Sequence, residues 1–196
     1  MSGLPRSGTS MMMGMLEAGG MGIMTDTIRE ADEDNPKGYF ELEQVKQLET
    51  DSVWLKNAQG KVVKIISTFL RHLPSDYNYR IIFMLRNMQE ILNSQKQMLL
   101  RRSEATDKIK DEEMGRIFSA HLKKMQQELP QQPNVEALFI NYNKVIKEPT
   151  KHIKEINYFL GNILDENNMQ SVISKRLYRQ QGDKGVATCA TKFHKR

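Results

Sequence analysis

The fold is decided by eight residues near the start of the chain, Gly3-Leu4-Pro5-Arg6-Ser7-Gly8-Thr9-Ser10. The two glycines stand at the spacing of a phosphate-binding loop, and hydroxyl residues follow them where a helix is expected to begin. Glycines let the backbone curl so that successive N–H groups point inward, and the N-terminus of the helix adds partial positive charge. The segment is therefore predicted to bind an anionic oxygen.

The position of the cation separates this loop from the common ATP-binding form. That form places a lysine directly after the second glycine, where this chain has Thr9. The cation of this loop is Arg6, inside the turn. At this point an ATP-dependent kinase for nucleotides or small molecules, and a nucleotide-binding module without catalysis, are both open alternatives.

Short apolar runs alternate with amphipathic stretches along the chain. The predicted strands are 62–66, 80–85 and 137–141, and the predicted helices are 9–18, 88–102, 113–129 and 144–160, the last with a break at Pro149. Apolar runs without alternation are typical of parallel strands buried on both faces. We therefore expect an α/β, three-layer P-loop-like fold with a central parallel sheet flanked by helices. The strand that feeds the loop has only Met1–Gly3 available and is expected to be short.

Length, composition and charge narrow the class of protein. The 196 residues are expected to form one domain, with a basic C-terminal segment, 175–196, that holds seven basic residues against one acidic. Because the segment lacks the repeated interleaving of aromatic with basic residues that supports base stacking, we predict no nucleic-acid partner. No apolar run is long enough to span a membrane and no leader is evident, so a cytoplasmic protein is expected. A single cysteine, Cys189, excludes an internal disulfide and a two-cysteine metal site.

A second polar pair follows the strand predicted at 80–85. Arg86 stands at its carboxyl end, and Ser94 lies eight residues later in the next predicted helix. Parallel sheets bind ligands at the carboxyl ends of their strands, so a contact of this pair with a ligand of the loop is compatible with the predicted fold. At this point an ordinary salt bridge of Arg86 and an ordinary exposed Ser94 are open alternatives.

These two motifs resemble those of the sulfotransferases that use 3'-phosphoadenosine 5'-phosphosulfate. In that family the loop that binds the 5'-phosphosulfate has the sequence Pro-Lys/Arg-Ser-Gly-Thr-Thr/Ser. Its arginine at a strand end and a serine eight residues later hold the 3'-phosphate. The resemblance implies that the donor is bound by Pro5, Arg6, Ser7, Gly8, Thr9, Ser10, Arg86 and Ser94.

Later segments extend the resemblance. Phe139–Asn143, Lys147–Pro149 and Tyr158–Gly161 are similar to the family's strand, proline turn and helix end, while Asn35–Glu41 and Leu177–Arg179 resemble bacterial members. The implied enzyme transfers a sulfuryl group from the donor to a hydroxyl or amine acceptor and releases 3',5'-bisphosphoadenosine. It is expected to need no metal.

The choice of a general base depends on a difference between this sequence and one branch of the family. The cytosolic small-molecule enzymes carry a histidine two residues after a lysine, whereas Lys64 is followed by two isoleucines. The chain therefore resembles the branch that uses a carboxylate. Glu41, which follows two aromatic residues, is the favoured base and Asp26 the alternative, although Glu41 at a helix start could serve the helix dipole alone. Lys64 either adds positive charge near the reacting group, beside that of Arg6, or is an ordinary strand-end lysine.

Overall fold

The computed structural model describes residues 1–26, 28, 38–103 and 109–173. Some sequence-based expectations fall outside these residues. They are the first part, 35–37, of the segment Asn35–Glu41 that resembles bacterial members, the other such segment at 177–179, the basic segment 175–196 and Cys189.

Four parallel strands form one sheet in the order β2-β1-β3-β4. The strands are β1 (Ser2–Gly3), β2 (Ile65–Ile66), β3 (Tyr79–Leu85) and β4 (Val135–Asn141). The long strands β3 and β4 pair along their whole length, from Tyr79–Val135 to Leu85–Asn141. The short strand β1 lies between β2 and β3, so the loop that follows it leaves from the middle of the sheet.

Within the described residues, six α-helices and four 3-10 helices connect and cover the strands. The α-helices are α1 (Thr9–Ala18), α2 (Met88–Arg101), α3 (Asp111–Glu128), α4 (Tyr142–Lys147), α5 (Pro149–Phe159) and α6 (Glu166–Ser171). The 3-10 helices are Glu43–Gln47, Val53–Ala58, Ser67–His72 and Leu129–Gln131. The predicted break at Pro149 is confirmed, since α4 and α5 are separate helices and proline cannot continue the hydrogen-bond ladder of a helix.

The strand predictions hold for β3 and β4 and are wrong in part for β2. β3 and β4 each begin slightly before the predicted start, but the run predicted at 62–66 forms a strand at Ile65–Ile66 alone. Upstream of it, Val62 bridges to Ile23: its N–H donates to the Gly22 carbonyl and its own carbonyl accepts from the Met24 N–H. The reason is that β1 offers two residues for pairing, so β2 matches that length.

The helices lie on both faces of the sheet, which confirms the three-layer α/β fold. Alternate residues of β3 divide between two cores: Ile82 and Met84 pack with α1, α4, α5 and α6, whereas Ile81 and Phe83 pack with α3 and the 3-10 helices. Apolar packing on each face explains why the strand reads as a continuous hydrophobic run. The methionines of α1 at 12, 13 and 15 are fully buried, so they are core residues.

No helix within the described residues is both long and apolar enough to cross a membrane. The cytoplasmic location and the single-domain organisation stay predictions.

Candidate functional site

The loop between β1 and α1 is closed by Ser7. Its N–H and its hydroxyl both donate to the Leu4 carbonyl, at 3.2 and 2.7 Å. Gly8 then enters α1 with a left-handed φ of 96°, and a Cβ at this position would overlap the Tyr142 ring. Glycine is needed here for both its conformation and its size. Along the loop Pro5 is exposed, while Ser7 and the adjoining Thr9 are buried.

Arg6 connects the loop with the predicted arginine–serine pair. Its backbone is left-handed, with a φ of 66°, which is uncommon for a residue with a side chain. Its Nε donates to Ser94 Oγ at 2.9 Å, and its carbonyl accepts from Arg86 Nη1 at 3.0 Å. The structure therefore brings Arg6, Arg86 and Ser94 together, although the loop and the pair lie some eighty residues apart in sequence.

Arg86 is itself held from two sides. Its Nε donates to Glu90 Oε2 at 2.9 Å, and its guanidinium lies 4.5 Å from the centre of the Tyr142 ring. The second carboxylate oxygen of Glu90 accepts from Asn143 Nδ2, also at 2.9 Å. The side chains of Arg86 and Glu90 are 8% and 3% exposed. This ion pair is screened little by solvent.

Lys64 lies beside the first turn of α1. Its ammonium donates to the Tyr39 carbonyl at 2.7 Å and to Ser10 Oγ at 3.2 Å, and it is 3.8 Å from Glu41 Oε1. Lys64 is buried, whereas the Glu41 side chain is 34% exposed. The lysine thus places a positive charge next to a hydroxyl of the loop helix and next to a carboxylate that solvent can reach.

Asp26 occupies a different position from Glu41. Its carboxylate accepts from the backbone N–H groups of Glu43 and Ile28, and its own N–H donates to the Glu41 carbonyl at 3.2 Å. Thr25 Oγ1 donates to the same carbonyl at 2.7 Å. Asp26 therefore anchors the segment that carries Glu41, whose own carboxylate lies 3.8 Å from the Lys64 ammonium.

His121 is half-buried and has a side-chain partner. Its Nε2 lies 2.9 Å from Ser67 Oγ, and burial, followed by the charge of Lys124, lowers the pKa of His121. In the described part of the chain, no three histidine, cysteine, aspartate or glutamate side chains are grouped so that they could hold a metal ion.

This geometry can be set beside the comparison with known families. The model of the sulfotransferase domain matches residues 1–188. The chain belongs to the sulfotransferase family. It is accordingly a transferase of sulfuryl groups, as the loop and the arginine–serine pair predict. A search among curated proteins returns no significant match to this sulfotransferase.

Sequence reasoning missed three residues of this candidate site. Glu90, Tyr142 and Asn143 contact Arg86 or its partner, yet none was predicted to belong to the site. A signal existed for Glu90, which stands one helical turn after Arg86 and is thus positioned to pair with it. No local pattern indicates that the start of α4 would reach the same arginine.

Proposed function

We propose that this sulfotransferase uses 3'-phosphoadenosine 5'-phosphosulfate as donor and a hydroxyl or amine as acceptor, releasing 3',5'-bisphosphoadenosine. One observation carries the proposal. The hydrogen bond from Arg6 Nε to Ser94 Oγ joins the loop expected to bind the 5'-phosphosulfate to the pair expected to bind the 3'-phosphate. Such a donor is anionic at both its 5'-phosphosulfate and its 3'-phosphate. It therefore suits a site in which Arg6, the cation of the loop, lies next to Arg86, the cation of the pair.

The residues of the loop fit such a donor. The N-terminus of α1 and the curled backbone before it attract anionic oxygen. Arg6 and Arg86 add two guanidinium groups, whose N–H forks match phosphate geometry. Ser94 accepts from Arg6, so its own proton is directed away from Arg6. Pro5, Ser7, Gly8, Thr9 and Ser10 shape the turn and complete the proposed donor site.

The bound donor supplies an electrophilic sulfur and a phosphate leaving group. In the transfer, the acceptor oxygen or nitrogen forms a bond to sulfur while the bond from sulfur to the bridging phosphate oxygen breaks. Arg6 and the loop N–H groups stabilise the negative charge that develops on the leaving phosphate. Lys64 adds positive charge from the Ser10 side.

The proposed base is Glu41, as in the carboxylate-using branch of the family. Glu41 combines solvent access with the contact to Lys64. Its carboxylate would take the acceptor's proton as the new bond forms. Asp26 is the alternative base, but its carboxylate already accepts two backbone N–H groups. These bonds favour a role for Asp26 in holding the segment of Glu41.

Calorimetry with 3',5'-bisphosphoadenosine and 5'-AMP tests the donor assignment without knowledge of the acceptor. Without a 3'-phosphate, the donors of Arg86 and Ser94 lose a partner. One charged hydrogen bond corresponds to roughly 10- to 150-fold in affinity, so the bisphosphate is expected to bind tighter by that factor. Equal affinities would contradict the donor assignment. Turnover of ATP, or binding without any turnover, would instead favour the kinase or the non-catalytic module.

A further inference from the structure

Glu90 is a buried carboxylate to which neither motif assigns a role. It lies in the first turn of α2 and is 2% exposed as a residue, with its oxygens on Arg86 and Asn143. Burying a charge is costly unless it is paired and hydrogen-bonded, and removing one partner leaves the other uncompensated. The geometry of Arg86 therefore depends on Glu90.

The contacts of Arg86 continue from Glu90 into the phosphate loop. Its Nη1 donates to the Arg6 carbonyl at 3.0 Å, at the residue with left-handed backbone. A side-chain-bearing residue keeps such a conformation only when its surroundings impose it. The guanidinium also lies on the Tyr142 ring, against which Gly8 is closely packed. Arg86 thus reaches the loop at Arg6 directly and at Gly8 through Tyr142.

We propose that Glu90 is a positioning residue for the phosphate loop. By fixing Arg86 between α2 and the start of α4, Glu90 holds the Arg6 carbonyl, and with it the left-handed turn, in place before any ligand binds. Preorganised groups bind an anion without first having to be ordered. The consequence for nucleotide affinity rests on the proposed function, whereas the effect on the loop does not.

Hydrogen–deuterium exchange of the full chain tests whether Glu90 keeps the phosphate loop in place. In Glu90→Gln the amides of Leu4 and of residues 6–10 are expected to exchange about tenfold faster than in the unmodified protein, the lower end of the range for a charged hydrogen bond. Peptides from β4 and α5 are expected to keep their rates, which separates a local effect from general destabilisation. The matched control is Glu136→Gln. It removes the charge of a glutamate that also pairs with an arginine, but in the exposed Arg80–Glu136 pair. It is expected to leave the loop unchanged.

Two further variants are expected to change loop exchange by smaller factors than Glu90→Gln. Glu90→Asp keeps the charge and is expected to exchange more slowly at the loop than Glu90→Gln. Asn143→Ala, which removes the second partner of the carboxylate, is expected to accelerate the loop by a smaller factor. If Glu90→Gln does not fold, these two variants decide the question with the same measurement. Loop exchange equal to that of the unmodified protein in every folded variant at 90 and 143 overturns the proposal, and so does equal acceleration in Glu136→Gln.

Nucleotide binding separates this proposal from the function on which it partly rests. Glu90→Gln is expected to bind 3',5'-bisphosphoadenosine about tenfold more weakly, with Glu90→Asp restoring part of the affinity. If the unmodified protein binds no bisphosphate while Glu90→Gln accelerates loop exchange, the donor assignment fails and the positioning role stands. If the unmodified protein binds the bisphosphate and Glu90→Gln changes neither affinity nor exchange, the positioning role fails alone.

Discussion

The two ends of the sheet differ in how their polar groups are stabilised. At the carboxyl ends of β1 and β3, Arg86 pairs with Glu90 and donates to the loop, and nearby Lys64 contacts both Glu41 and a hydroxyl of α1. At the amino ends lies a cavity of about 640 Å³, lined by the first residues of β3 and β4 together with Met1 and Val63. The carboxyl end concentrates buried paired charge, whereas the amino end contains unfilled space and the exposed Arg80–Glu136 pair.

The amino end carries an unusual buried group. The α-amine of Met1 is buried and donates to the Val63 carbonyl at 3.1 Å, and burial lowers its pKa to about 5. Beside it β3 extends over seven residues while β1 has two. The Ser2 hydroxyl is also buried, with no hydrogen-bond partner in the part of the chain that the structure describes. Polar groups without partners cost stability, whereas the charged groups of Arg86 and Glu90 at the carboxyl end are paired.

This contrast indicates that ligand binding is concentrated at the carboxyl end of the sheet and instability at the amino end. Ligands of parallel α/β sheets bind at the carboxyl ends, where loops and helix N-termini converge. Changes at that end should therefore alter transfer, and changes at the amino end should alter stability.

The largest expected effect is that of Arg6→Ala at the carboxyl end. The loop would keep its N–H groups and lose a guanidinium, so the rate of transfer is expected to fall by about 1,000-fold or more, with weaker binding of 3',5'-bisphosphoadenosine. Release of the bisphosphate from the donor measures the rate. Arg80→Ala is the control, since Arg80 lies at the start of β3 in an exposed ion pair. An unchanged rate in Arg6→Ala would remove Arg6 from the site.

The second prediction concerns the amine at the opposite end. Its pKa is 8.0 in the unfolded chain and about 5 in the folded chain, so between these pH values the unfolded chain binds the extra proton. The free energy of unfolding is therefore expected to rise by about 3 kcal/mol from pH 5 to pH 8 through this group. Urea denaturation of the chain beginning at Met1 measures the rise, and the N-terminally acetylated chain serves as control. Identical pH dependence of the two forms would show that the amine does not contribute.

The third prediction addresses the proposed base. Glu41→Gln is expected to lower turnover by about 100-fold or more while leaving the affinity for 3',5'-bisphosphoadenosine nearly unchanged, because it removes a proton acceptor and no donor contact. Steady-state kinetics and calorimetry measure the two quantities. Glu43→Gln, in the exposed pair with Lys46, is the control. If Glu41→Gln retains full turnover and Asp26→Asn loses it, the base is Asp26.

The smallest expected effect comes from a comparison of two glycines, one from each end of the sheet. Gly8 and Gly60 both have left-handed backbone, with φ of 96° and 71°, but a Cβ at Gly60 would meet open space whereas one at Gly8 would overlap Tyr142. Gly60→Ala is expected to cost about 1 kcal/mol of unfolding free energy through the backbone alone. Gly8→Ala is expected to cost about 2 kcal/mol more through the clash. Denaturation midpoints measure both, and equal losses would mean that Tyr142 moves aside freely.

Much of the donor side of the site could be predicted because its signals are local. The glycine spacing of the loop, the hydroxyls that follow it and the eight-residue step from Arg86 to Ser94 are all visible within short windows of sequence. The alternation of apolar runs with amphipathic helices likewise indicated the parallel α/β fold. The extent of β2 was overestimated because strand length depends on the partner strand, which the run at 62–66 does not reveal.

By itself, the sequence determined the fold class, the family and the nature of the loop, since local spacing and apolar periodicity carry that information. The tertiary structure alone decided which charges meet. The contacts of Arg6 with Ser94 and of Glu90 with Asn143 join residues 88 and 53 positions apart. Such contacts depend on how β3, α2 and α4 pack around the loop. Because packing sets side-chain distances that no local pattern encodes, the role of Glu90 emerges only from the folded chain.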